Sequence, residues 1–341
     1  MKLLLVTDAW HPQINGVVRT LTETIDQLQK MGLSVRVIHP GLFRNVPLPF
    51  YPDIKLALPF HHRLKSLVGE TPPEFIHIAT EGPLGWAVRA LCIRENWAFS
   101  TAFHTHFPQY LHKFFRFPKS WTWAMLRTFH ERADCVMVAT PSLWNDLIDN
   151  GFDPSLLSLW SRGVDTSRFH PEEKTKRSHP VALYVGRISA EKSVEDFLRV
   201  NRPVSKWIVG DGPDKAMLMR KYPDATWLGW QQGEILAKTY SQADVFVFPS
   251  LTDTFGLVMM EALASGVPVA AYPVPGPLDV VVPGTGFLDW DLEKAVDGAL
   301  NCDPVLCRKH AITQTWEKCT RQFLQNLIPI TKQPRNSSRV A

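Results

Sequence analysis

The chain has 341 residues, 45% of them hydrophobic and 21% charged, which supplies core material for two ordinary domains and excludes a disordered chain or a small stapled scaffold. Lys and Arg number 37 against 33 Asp and Glu, and the resulting +4 is too small to mark a nucleic-acid binder. The five cysteines (Cys92, Cys135, Cys302, Cys307 and Cys319) are scattered, which points to reduced thiols, and Cys302 and Cys307 lack a second pair for a structural zinc site.

The N-terminal run Leu3, Leu4, Leu5, Val6 is apolar throughout, as a buried parallel strand requires. Asp8 interrupts it too early for the apolar region of a signal peptide, so a first strand is the better reading. Val17, Leu21, Ile25, Leu28 and Met31 then recur at helical spacing, Gly32 stops the helix, and residues 35–38 form the next strand. This is a βαβ unit. The proline-rich stretch 43–59 reads as a long loop or a short hairpin. Further strands are expected at 75–78, 99–103 and 135–139.

The charged stretch 172–180 separates this half from a second α/β series, with strands expected at 181–185, 207–209, 226–228, 245–248 and 267–271. The fold expected is therefore α/β, two Rossmann-like doubly wound domains whose strand ends face an interdomain cleft. The division expected is a first domain over 1–170, a linker over 171–180 and a second domain over 181–315. A C-terminal helix over 316–331 can cross back to the first domain, and 332–341 is a polar tail. No apolar run is long enough to span a bilayer.

Three segments of the second half carry chemistry. In the run 184–192 (YVGRISAEK), Gly186 permits a tight turn after a strand, Arg187 can give a phosphate two hydrogen bonds, and Lys192 adds a point charge. A surface Arg and Lys after any strand would look similar. Gly210-Asp211-Gly212-Pro213 allows close backbone approach to a ligand, or simply makes a turn. In the third, Asp253, Thr254, Phe255 and Gly256 lead into an apolar helix, with Thr254 as a candidate cap. Asp253 and Glu261, if both helical, would lie about 80° apart around the axis. Glu261 sits among Met259, Met260, Ala262 and Leu263 and so needs a partner.

Together these segments resemble the retaining GT-B glycosyltransferases of family 4. The likeness takes in Asn15, Gly16 and Val17, the run 161–165 (SRGVD), the G-R-x-x-x-E-K of 186–192, the G-D-G-P turn, and the acid-x7-Glu spacing of Asp253 and Glu261. Any one of these is weak; in this order they are specific. The resemblance implies that Arg187 and Lys192 bind the diphosphate of a nucleotide-sugar donor, of the GDP-mannose or UDP-glucose type, and that Glu261 binds its ribose. It implies that Asp253, with the backbone of Thr254, Phe255, Gly256 and Leu257, approaches the donor sugar and phosphate. Asn15, Gly16, Gly186, Gly210 and Asp211 complete the donor-binding set. The family commonly has glutamate where this chain has Asp253, which shortens that reach by one methylene.

Phe103-His104-Thr105-His106 follows a strand of the first half. By the resemblance His104 is the active-site histidine near the transferred sugar, while the role of His106 is left open. Two histidines in H-x-H face one side of a strand and suit a metal, but no third ligand accompanies them, and the resemblance implies neither an essential metal nor a prosthetic group. Between residues 103 and 132, Lys113, Arg116, Lys119, Arg127 and Arg132 stand against Glu131 alone, interleaved with Phe114, Phe115, Phe117, Trp121 and Trp123. Such a stretch suits an anionic membrane surface; it also suits an acceptor groove or an ordinary packed helix. Residues 56–68, with His61, His62, Arg63 and Lys65, are candidates for the same face.

The activity expected is transfer of a hexosyl group, mannose or glucose foremost, to a lipid-linked or cell-envelope glycan acceptor. The place expected is the cytoplasm or the cytoplasmic face of a membrane, without nucleic-acid partners. Two competing readings are turnover of nucleotide sugars or sugar phosphates, and a non-catalytic scaffold that binds nucleotide or membrane. A carboxylate-pair glycosidase is disfavoured, because Asp253 and Glu261 accompany phosphate-binding features.

Overall fold

The computed structural model describes residues 2–13, 15–48, 51–59, 61–68, 73–104 and 118–330. The chain divides into two units, Met1–Ser161 with Cys319–Ala341, and Arg162–Lys318.

In the first unit the apolar N-terminal run becomes strand β1 (Lys2–Val6), and Leu3, Leu4, Leu5 and Val6 are all buried. Successive side chains point to opposite faces of a sheet, so a strand buried at every position is covered on both sides. β1 pairs in parallel with β2 (Ser34–Ile38) on one edge. After an antiparallel hairpin of β3 (Asn45–Leu48) and β4 (Tyr51–Ala57), β5 (Phe75–Ile78) pairs with the other edge of β1. β6 (Ser100–Phe103), β7 (Cys135–Val138) and β8 (Leu157–Leu159) follow outward, giving the order β2-β1-β5-β6-β7-β8. The stretch 43–59 is thus the hairpin of the two alternatives. One face of the sheet carries Ile76, Ile78, Phe103 and Val136, packed with Leu84, Leu126 and Leu143 of three helices. On the other, His77 meets the rings of Trp160 and Phe323.

The second unit repeats the plan with β9 (Val181–Val185), β10 (Ser205–Val209), β11 (Thr226–Gly229), β12 (Val245–Phe248), β13 (Val269–Ala271) and β14 (Gly286–Leu288). Their order is β11-β10-β9-β12-β13-β14, and all pairs are parallel. Both sheets are doubly wound, as expected. In the second, the chain moves from β9 towards β11 and then crosses to start again at β12. The switch point between β9 and β12 is where such sheets leave a crevice at their carboxyl ends.

The stretch 171–180 falls inside the second unit and is exposed, with Lys174 Nζ bonded to the Ala243 carbonyl at 2.6 Å and to Asp244 Oδ1 at 3.0 Å. The helix Trp316–Gln325 carries the chain from one unit to the other, and its Phe323 is fully buried in the first. Among the described residues, no helix is long and apolar enough to cross a membrane.

Candidate functional site

Each chemical segment of the second half lies at a carboxyl end of this second sheet. Beyond β9, the buried Tyr184 hydroxyl donates to the Arg187 carbonyl at 2.7 Å and fixes the turn from below. Burial, and then the charges of Asp253 and Glu191, hold the Tyr184 phenol well above its ordinary pKa, so it stays a donor. Arg187 is exposed at the tip of this turn. A short 3-10 turn, Ala190–Lys192, follows, with Glu191 accepting from Ser189 Oγ at 2.6 Å.

The loop after β10 lies against this turn so closely that side chains are excluded. A Cβ on Gly210 would sit 1.9 Å from the Gly186 carbonyl oxygen, and one on Gly212 would sit 2.2 Å from that of Ile188. Both glycines also have positive φ, of 141° and 159°. The Ile188 amide donates to the Asp211 carbonyl at 2.9 Å, and the Asp214 amide to the Ile188 carbonyl at 3.1 Å. The Asp211 carboxylate is exposed; hydrogen bonds from the Gly212 amide and Lys215 hold its pKa low.

The loop after β12 completes the arrangement. Lys192 Nζ donates to Asp253 Oδ1 at 2.6 Å, joining loops on either side of the switch point. The other carboxylate oxygen of Asp253 is buried, with no hydrogen-bond partner among the described residues. Phe255 is buried, and the helix Leu257–Ala264 begins only after Gly256, whose φ of 82° places the left-handed residue at the cap. Two expectations are corrected here. Thr254 does not occupy the capping position, and Asp253 lies outside the helix, so the angular relation of Asp253 to Glu261 around one axis does not apply. Glu261 is 2% exposed, and the Tyr240 hydroxyl donates to its Oε2 at 2.9 Å. Glu261 therefore has the partner its apolar neighbours demanded. Tyr240, 21 positions away in sequence, carried no local signal of that pairing.

Sequence reasoning also missed Gly276, beyond β13. A Cβ there would lie 2.9 Å from the Asp253 carbonyl oxygen, so this loop supports Asp253 from behind.

The remaining candidates belong to the first unit. His104 directly follows β6, is 8% exposed and meets the buried Trp160 edge-on with centroids 5.5 Å apart. Asn15 caps the helix Gly16–Lys30, its Oδ1 accepting from the Val17 and Val18 amides at 3.0 Å, and Gly16 opens that helix. The Asn15 carbonyl is thus engaged in holding the helix start. The switch point of this sheet, between β1 and β5, is filled by the protein's own anion. Asp8 accepts from the Leu84 amide at 2.9 Å, the Gly85 amide at 3.2 Å and Thr80 Oγ1 at 3.1 Å. It occupies the N-terminus of the helix Pro83–Arg94, where an external anion would otherwise be favoured. Burial raises the Asp8 pKa against those hydrogen bonds.

His106, Lys113, Phe114, Phe115, Arg116 and Phe117 lie outside the described residues. Within the adjoining helix Lys119–His130, Trp121 is 70% exposed and Trp123 is buried. His62, Arg63 and Lys65 are exposed on the helix His61–Val68. Among the described residues, no three His, Cys, Asp or Glu side chains are grouped to hold a metal ion.

Residues 14–168 match Glycosyltransferase Family 4, and residues 179–300 match Glycosyl transferases group 1. The chain is 30% identical over 321 residues to a GDP-mannose-dependent alpha-mannosyltransferase of Mycolicibacterium smegmatis, covering 84% of each chain. It is also 30% identical over 322 residues to the sulfoquinovosyl transferase SQD2 of Arabidopsis thaliana; there the match covers 84% of this chain and 62% of the relative's length. Among solved structures, sucrose-phosphate synthase from Thermosynechococcus elongatus has the same fold, with a TM-score of 0.79 at 22% identity over 95% of this chain and 97% of that one. The chain belongs to glycosyltransferase family 4, and its two Rossmann-like parallel-sheet units are those of the GT-B fold.

Proposed function

We propose that this protein is a nucleotide-sugar-dependent glycosyltransferase that moves a hexosyl group, mannose or glucose foremost, to a lipid-linked or glycan acceptor with retention at the anomeric carbon. The observation that carries the reading is the meeting of Lys192 and Asp253 across the β9/β12 switch point, beside Arg187 and the close-packed Gly210 and Gly212. Its relatives support the donor class: several are named GDP-mannose-dependent alpha-mannosyltransferases, and others are named alpha-monoglucosyldiacylglycerol synthase.

In this reading Arg187 and Lys192 take the donor diphosphate, and Glu261, held by Tyr240, takes the ribose. Asp253 and the backbone from Thr254 to Leu257 approach the sugar. Asn15 and Gly16 belong to the donor-binding set by the family resemblance, with Asn15 fixing the start of its helix. His104, steadied by Trp160, offers a ring nitrogen to the transferred sugar.

The bond from the anomeric carbon to the diphosphate oxygen breaks while an acceptor hydroxyl oxygen bonds the same carbon from the same face. The acceptor proton passes to the departing phosphate. Arg187 and Lys192 then face a charge that grows as the bond breaks, which is where their attraction lowers the barrier. No step draws on a prosthetic group. The basic-aromatic stretch and the exposed Trp121 serve a membrane surface carrying the acceptor, from the cytoplasmic side.

The experiment is a transfer assay with a panel of nucleotide sugars and membrane extract as acceptor, read by product mass. Product from a hexosyl donor, lost in folded Lys192→Ala, supports the reading. Donor hydrolysis without a glycosylated product favours turnover, and nucleotide binding without either reaction favours the scaffold.

A further inference from the structure

Lys192 and Asp253 are each given a separate partner by the reading above, yet the structure joins them to each other. Their side chains are 26% and 23% exposed, and the ammonium sits 2.6 Å from Oδ1. We propose that this pair is a latch that exchanges partners: the donor's diphosphate takes Lys192, and the freed Asp253 takes a hydroxyl of the hexosyl group. This inference rests on the assignment of Lys192 to the diphosphate.

The driving force for the exchange is electrostatic. A carboxylate beside a diphosphate is repelled unless a cation lies between them or the carboxylate acquires a hydrogen-bond donor. Lys192 cannot keep its short contact with Asp253 and give full strength to a phosphate. When it leaves, Asp253 has two oxygens to satisfy, because Oδ2 is already buried without a partner among the described residues. A sugar hydroxyl satisfies such an oxygen, and the Asp253 backbone that carries it is closely packed against Gly276.

The product nucleoside diphosphate has no hexosyl hydroxyl to offer. Lys192 is then drawn back to Asp253, so the latch favours the loaded donor over the spent nucleotide and helps to discharge the product. Asp253 thus becomes a residue that discriminates donor from product, in addition to its contact with the sugar.

The test is calorimetric titration of GDP and UDP into wild type, Asp253→Asn, Lys192→Ala and the double variant, with Asp253→Ser as a second replacement should the first fail to fold. The latch predicts that Asp253→Asn binds nucleoside diphosphate about fivefold more tightly, the equivalent of an ion pair of about 1 kcal/mol. It also predicts that this gain vanishes when Lys192 is absent. An equal gain without Lys192 would mean plain charge repulsion and overturns the latch. So does unchanged or weaker binding by Asp253→Asn while Lys192→Ala weakens it, a result that leaves the diphosphate assignment standing. If Lys192→Ala binds as wild type does, or wild type takes up neither nucleotide, the assignment fails and the latch with it.

Discussion

Replacing Gly210 by alanine tests whether the β9 and β10 loops form one donor-binding surface. The added Cβ would lie 1.9 Å from the Gly186 carbonyl oxygen, where an ordinary contact begins at 3.4 Å, so the loops must part by about 1.5 Å. The φ of 141° at this position adds backbone strain. Strain of roughly 1–3 kcal/mol and overpacking of a similar size give a loss of stability of roughly 2–6 kcal/mol. The movement falls on the turn that carries Arg187 and leads to Lys192, and a displacement near 1 Å is worth on the order of 10²-fold in rate. Gly233→Ala is the control: its φ of 59° is strained too, but among the described residues nothing lies within 4 Å of the added carbon. Urea denaturation and nucleoside diphosphate titration should find both properties damaged in Gly210→Ala and only stability damaged in Gly233→Ala. A Gly210→Ala protein within about 0.5 kcal/mol of wild type, with unchanged nucleotide affinity, would mean that the two loops do not form one donor-binding surface.

Tyr240→Phe leaves the buried Glu261 carboxylate short of one donor and should lower stability by about 1–3 kcal/mol, together with nucleotide affinity. A urea midpoint equal to wild type would contradict the role given to Tyr240. Neutralising Lys113, Arg116 and Lys119 should abolish salt-sensitive sedimentation with anionic liposomes, whereas undiminished, salt-insensitive binding would remove the membrane from the account.

Much of the fold is legible because buried parallel strands are apolar at every position. Residues 75–78, 181–185 and 245–248 read as strands and are strands. β8 and β14 escaped because three-residue strands, LSL and GFL, carry no periodicity. In the candidate site, residue types and order were readable as a family pattern, but the pairings were not. Lys192 and Asp253 are 61 positions apart, and only the crossing of the chain from β11 to β12 brings them together. Thr254 looked like a cap because Ser and Thr commonly are, but the left-handed Gly256 lets the chain turn into the helix two residues later. Asp8 read as a break in an apolar run. Its task, closing the first sheet's switch point, depends on Leu84 and Gly85, more than seventy positions away.

The most direct test of the account is the anomeric configuration of the product. Wild-type protein is incubated with the nucleotide sugar it accepts and a membrane-extract acceptor, and the glycoside is isolated and read by NMR. The expected product is an α-linked hexoside from an α-linked donor, absent with folded Lys192→Ala. A β-linked product, or undiminished transfer by Lys192→Ala, would contradict it.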